Sequence, residues 1–203
     1  MRLSEGTALI SVDDQEGGYG SDVFSNLGMA APVTSGRHEL SYWQFIESSV
    51  DSVAFSFLSS GILPATFETG AEVLMATYDA FGSGPSVLLF QDFNNVITLV
   101  APPAPIVTGR WVEHKYSINL DTNSFDFSYD GNNIASGLQW DTSPANGVSI
   151  GGINLWMQFG NANGINNFVY YDDFRFEAVP EPTTGGLWLA AVSGICLLRR
   201  QRS

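Results

Sequence analysis

The residues able to do chemistry are few, and their spacing excludes more than it supports. Gly147-Val148-Ser149-Ile150-Gly151 matches the G-x-S-x-G nucleophile elbow, whose serine sits on a sharp strand-to-helix turn and is activated by a histidine further along the chain. Here the residues after Gly151 alternate as a strand does, and both histidines, His38 and His114, precede Ser149. The elbow lacks both its helix and its base. Neither histidine belongs to an H-E-x-x-H pair, and the single cysteine, Cys196, lies in a C-terminal apolar run, so no zinc or thiolate cluster is spelled out. His114 alternates with Val112, Tyr116 and Ile118 and reads as a packed residue. No catalytic residue is assigned.

Three groupings remain. Strict alternation puts Asp172 on the face of Phe168, Tyr170, Phe174 and Phe176, with Asp173 on the other, so Asp172 is expected as a buried carboxylate. Such a group needs backbone N–H donors or a cation, which makes Asp172 a calcium candidate as well as a loop-pinning acceptor; no D-x-D-x-D-G loop accompanies it. Asp121, Asn123 and Asp126 cluster in the same way and read as turn chemistry. Trp156 lies between Asn154 and Gln158 and opposite Leu155 and Met157, so it is expected to point outward between two amides. An exposed ring with hydrogen-bonding amides beside it suits stacking on a sugar.

The elements that position these residues are strands. Val112, His114, Tyr116, Ile118 and Leu120 alternate with polar residues, Asp-Thr-Asn-Ser at 121–124 turns the chain, and Phe125, Phe127 and Tyr129 return it. Asp130-Gly131-Asn132-Asn133 supplies the next turn, since Gly and Asn tolerate positive φ. Further short strands are expected at 7–12, 40–46, 50–58, 72–79, 86–92, 95–101, 134–140, 153–159 and 168–179, and the Pro-rich stretch 101–105 is expected as a loop or crossover. Strands with this turn spacing predict an all-β antiparallel sandwich over residues 1–178. The chain has 203 residues, room for one sizeable core and a short appendage. Its 21 acidic against 8 basic residues give a net charge of −13, which repels phosphate backbones and argues against a nucleic-acid partner.

Trp111-Val112-Glu113-His114, the aromatic hairpin, Tyr129-Asp130-Gly131 and the closing Tyr170-Tyr171-Asp172-Asp173-Phe174 together resemble the concanavalin A-like (laminin G-like) jelly roll, over about residues 105–178. The resemblance implies a fold shared by lectins, hydrolases and structural modules. Laminarinase-type hydrolases of this fold carry E-x-D-x-x-E on one strand, and that spacing does not occur in this chain.

Residues 179–203 read VPEPTTGGLWLAAVSGICLLRRQRS: a Val-Pro-Glu-Pro stop, an apolar run at 185–198, and a basic end of Arg199, Arg200 and Arg202. This order of parts is similar to the PEP-CTERM sorting signal. The resemblance implies export, a transient hold in the inner membrane through a short helix at 185–198, and cleavage by an exosortase that recognises Pro180, Glu181 and Pro182. The physics is compatible: 14 residues of helix reach about 21 Å, short of a ~30 Å hydrocarbon core, and the arginines favour the cytoplasmic side. Residues 1–20 hold no apolar stretch of the kind a signal peptide needs, so the recorded start is expected to lie downstream of a leader. The expected protein is a non-enzymatic module of the cell surface or extracellular matrix, exopolysaccharide-associated or carbohydrate-binding, with a jelly-roll glycoside hydrolase as the alternative.

Overall fold

A computed structural model describes residues 9–12, 22–47, 52–59, 69–76, 86–92, 97–141, 148–159 and 168–180. Among them are thirteen strands: β1 (Leu9–Val12), β2 (Asp22–Ser25), β3 (Arg37–Ile46), β4 (Ser52–Ser59), β5 (Thr69–Ala76), β6 (Ser86–Asp92), β7 (Ile97–Leu99), β8 (Ala104–Pro105), β9 (Trp111–Asn119), β10 (Ser124–Tyr129), β11 (Asn132–Gln139), β12 (Gly152–Phe159) and β13 (Phe168–Ala178). They form two antiparallel sheets, one ordered β1-β13-β3-β9-β10-β11 and the other β2-β12-β4-β5-β6-β7. The all-β sandwich expected from alternation is the observed architecture. The short helix expected at 185–198, with Glu181, Pro182, Arg199, Arg200 and Arg202, lies outside the described residues. No helix among the described residues is long and apolar enough to cross a membrane.

The chain switches sheets repeatedly, but β9, β10 and β11 stay in one sheet as consecutive hairpins, and their turn residues show why. Asn119 Oδ1 accepts the N–H groups of Asp121 and Thr122, while Asn123 takes φ 49° and closes the β9–β10 hairpin. Asp130 and Gly131, at φ 53° and 72°, make the β10–β11 turn, the pair of positive values a tight hairpin requires. The 101–105 stretch departs from expectation: Ala104 and Pro105 pair with Val87 and Ser86 on the edge of β6. Proline is tolerated there because an edge strand has one side free of ladder donors.

The two inner faces meet in an aromatic core. Tyr42, Tyr116, Tyr171, Phe125 and Phe127 are fully buried, as is Trp140, whose indole N–H donates to the Ser149 carbonyl at 2.7 Å. Tyr42 crosses between the sheets, its hydroxyl donating to Ser56 Oγ of β4 at 2.7 Å. His114 stacks on Tyr42 at 4.7 Å between ring centroids and meets Tyr129 edge-on at 5.1 Å. Its Nδ1 lies 3.2 Å from the Tyr42 hydroxyl and its Nε2 3.2 Å from Gln44 Oε1. The packed role expected for His114 is the one observed.

Burial without a carboxylate partner pushes His114 down to about 3, so the folded state holds the ring neutral. The unfolded chain takes up that proton near pH 6.5, so between pH 6.5 and 3 it binds more protons than the folded chain. Stability is therefore complete above pH 6.5 and falls as pH is lowered, by up to about 1.4 kcal/mol per unit from this group. Urea unfolding at pH 7.0, 6.0 and 5.0 measures the slope, which is expected to be shallower in His114→Phe.

Candidate functional site

The parity of the central strands decides what the six-stranded sheet shows to solvent. On β3 the side chains of His38, Leu40, Tyr42, Gln44 and Ile46 are buried, which leaves Glu39, Trp43 and Phe45 on the other face. On β9, buried Val112, His114, Tyr116 and Ile118 leave Trp111, Glu113, Lys115, Ser117 and Asn119 outward. Register pairs Phe45 with both Trp111 and Tyr170, and Trp43 with both Glu113 and Asp172. Two adjacent rows thus cross three strands: Tyr170, Phe45 and Trp111, then Asp172, Trp43 and Glu113.

These rows make an aromatic platform. The Phe45 ring lies 5.7 Å from Trp111, tilted against it, and 5.9 Å from Tyr170, edge-on, and Trp43 and Trp111 each remain 39% exposed. Cross-strand packing covers part of these rings, and what stays exposed forms an apolar patch in the middle of a sheet, a surface that a partner could cover. Carboxylates edge the platform: Glu47 Oε1 accepts a long hydrogen bond from the Tyr170 hydroxyl at 3.5 Å, and Glu113 and Asp172 flank Trp43 in register.

A bulge in β13 sets this arrangement. Asp173 adopts φ 51° and donates its N–H to Asp172 Oδ1 at 2.7 Å, and the register steps from Asp172 opposite Trp43 to Arg175 opposite Ser41. One extra residue reverses the parity, so Val169 and Tyr171 before it and Phe174 and Phe176 after it are all buried. This corrects the expectation for Asp172: it shares the outer face with Tyr170, is only half-buried, and caps the bulge. Among the described residues no group of three or more His, Cys, Asp or Glu is arranged to hold a metal ion.

Further along the same face the platform gives way to an open polar groove of about 410 Å³, lined by Arg37, Glu39, Ser117, Asn119, Ser124 and Asp126. From Trp111 to Asn119 the track is about 27 Å long at ~3.4 Å per residue. Its cations are mostly paired. Lys115 reaches Glu39 at 2.7 Å, Arg175 reaches Glu177 at 2.7 Å, and Arg110 grips Asp130 through Nη1 and Nη2 at 2.9 and 2.5 Å. The Arg110 hydrogen bonds hold the Asp130 carboxyl below its ordinary value.

The other groupings fare differently. Asp121, Asn123 and Asp126 each accept a backbone N–H, from Gly36, Asp141 and Gly137 respectively; these partners lie 85, 18 and 11 residues away, so the side chains tie separate segments together and do not make the local turn bonds expected of them. Ser149 is followed by the Val33–Ile150 bridge and β12, so the chain makes no strand-to-helix turn there. Asn154 is a correction: register places it on the face of β12 away from the core, yet it is 6% exposed and its Oδ1 has no hydrogen-bond partner among the described residues. Leu88 is also buried on that face, so outward parity in the second sheet is not solvent exposure. The side chains of Trp156 and Gln158 lie outside the described residues.

No protein-family model and no curated protein sequence matches the chain. Solved structures do. The potassium-bound carbohydrate recognition domain of Emp46p is similar at a TM-score of 0.59 and 10% identity, covering 85% of this chain and 89% of that one. An alginate lyase from Alteromonas sp. 272 is similar at 0.54 and 10% identity, covering 88% and 90%. A sialidase is similar at 0.56 and 11% identity over 87% of this chain but 16% of its own. At these identities the likeness is one of fold alone: an all-β antiparallel sandwich resembling those of these lectin and lyase domains.

Truncating the platform and truncating the core are expected to differ sharply in cost. Trp43→Ala and Trp111→Ala are each expected to change unfolding free energy by less than about 1 kcal/mol, whereas Trp140→Ala, which empties a buried site, loses ~3–5 kcal/mol. Denaturant melts of the three variants measure this.

Proposed function

We propose that the protein is a non-enzymatic polysaccharide-binding module that acts outside the cell, at its surface or in the extracellular matrix. One observation carries the reading: Trp43 and Trp111 stand exposed beside Phe45 and Tyr170 on a face built from paired strands. Aromatic faces accept the C–H side of a sugar ring, and the polar groove supplies hydroxyl, amide and carboxylate partners along the same track. The carbohydrate-recognising neighbour of the same fold is consistent with this. Delivery rests on the sequence resemblance at 179–203: export, a transient inner-membrane hold through 185–198, and exosortase cleavage at Pro180, Glu181 and Pro182. Val179 and Pro180 are exposed where β13 ends, a position compatible with a protease reaching the segment that follows.

Binding is tested by affinity electrophoresis through gels containing soluble β-glucan, with Trp43→Ala/Trp111→Ala as the matched variant. Retardation of the wild type and its loss in the variant are expected; equal mobility of the two, or reproducible release of reducing sugar by the wild type, overturns the reading. Delivery is tested by expressing the chain behind a secretory leader in a host carrying the sorting protease. Processing near Pro182 is expected, and its loss when Pro180, Glu181 and Pro182 are replaced by alanine; a full-length wild-type product counts against it.

A further inference from the structure

We infer that the platform takes a polysaccharide bearing protonated amines, such as a partly deacetylated amino-sugar polymer, and turns away polyuronates; this rests on the glycan-binding reading and names its ligand class. The charge around the four rings is of one sign. Glu47 lies at Tyr170, and Glu113 and Asp172 stand on either side of Trp43. Glu113 is half-buried and has no ion pair among the described residues, and the contact of Glu47 is with a neutral hydroxyl.

The cations near these rings are already neutralised: Arg110 by Asp130, Lys115 by Glu39 and Arg175 by Glu177. Arg37 sits at the far end of the track, eight residues along β9 from Trp111 at its partner Asn119, and shares its groove with Glu39 and Asp126. That separation of about 27 Å exceeds the ~8 Å over which charges act at physiological ionic strength. A uronate stacked on Trp43 and Trp111 would bring its carboxylates beside Glu47, Glu113 and Asp172 on a chain of net charge −13, and the nearby cations among the described residues are already held in ion pairs. An amino sugar meets the opposite situation. Its ring stacks on the indoles, and its ammonium lies within reach both of the electron-rich ring faces and of the carboxylates.

The test separates site from bulk charge. The full chain, Glu47→Gln/Glu113→Gln and Trp43→Ala/Trp111→Ala are compared on chitosan, on a neutral β-glucan and on alginate, at 20 and 300 mM salt with the amines protonated. Chitosan is expected to bind the wild type roughly three- to tenfold more tightly than the neutral glucan at low salt. The glutamine variant is expected to erase that margin while leaving the neutral glucan unchanged, and alginate is expected to bind neither. Chitosan binding that survives the tryptophan substitutions is adsorption by net charge and overturns the inference. Equal affinity for chitosan and neutral glucan, or alginate bound as well as either, overturns it while leaving glycan binding intact. Failure of the wild type to bind any of the polymers removes both.

Discussion

Tyr42 is the residue on which the arrangement of this sandwich turns. It lies on a central strand of one sheet, bonds through its hydroxyl to Ser56 of the other, and stacks on His114 at 4.7 Å and on Phe174 at 5.2 Å. An apolar residue there would pack in several ways, but a phenol with an inter-sheet partner fits one register only, because a slip by one residue turns every side chain to the other face. Burial raises the Tyr42, Tyr116 and Tyr171 hydroxyls well above their ordinary range, so all three stay protonated; Tyr42 has its partner in Ser56, while the Tyr116 and Tyr171 hydroxyls have none among the described residues. Once Tyr42 faces in, Trp43 must face out. The exposed platform is thus a consequence of the buried polar core.

The β13 bulge completes the link between core and surface. Without it, Tyr171 and Phe174 could not both be buried, since three residues separate them where an unbroken strand allows two or four. Asp172 makes the irregularity tolerable by accepting the Asp173 N–H, and aspartate is among the few residues that enter the left-handed region at modest cost. The same bulge holds Tyr170 and Asp172 level with Phe45 and Trp43 while the strand continues to Arg175 and Glu177 beyond. Core packing and platform geometry are set by one pair of residues.

Much of this fold is legible from period-two patterning, and its failures have physical causes. The β9–β10–β11 meander follows from strict alternation and from turn residues suited to positive φ. The platform was equally legible in principle: Trp111 precedes buried Val112 and Trp43 follows buried Tyr42, so both lie out of phase with the core. Attention to flanking amides favoured Trp156 instead, and parity does not say whether an outward residue meets water, as buried Asn154 shows. The bulge was not legible, because two consecutive aspartates fit a regular strand as well as an irregular one. Nor can a single sequence show that Tyr170, Phe45 and Trp111 fall in one row, since that depends on registers between strands far apart in the chain.

A flat face of this kind binds differently from a cleft. Each stacked ring adds a modest increment, and no side chain encloses the ligand, so affinity must come from several contacts made at once along the track. The supporting strands make that feasible. β3 is paired on both sides, by β9 and β13, so the rings of Phe45, Trp111 and Tyr170 start from fixed positions and little ordering is left for binding to supply. An extended polymer gains from such a surface and a single sugar does not, because a chain can span aromatic platform and polar groove together. Under the glycan-binding proposal, such a face favours long, repetitive polymers over single sugars, and the carboxylates at its aromatic end are the proposed means of choosing among them.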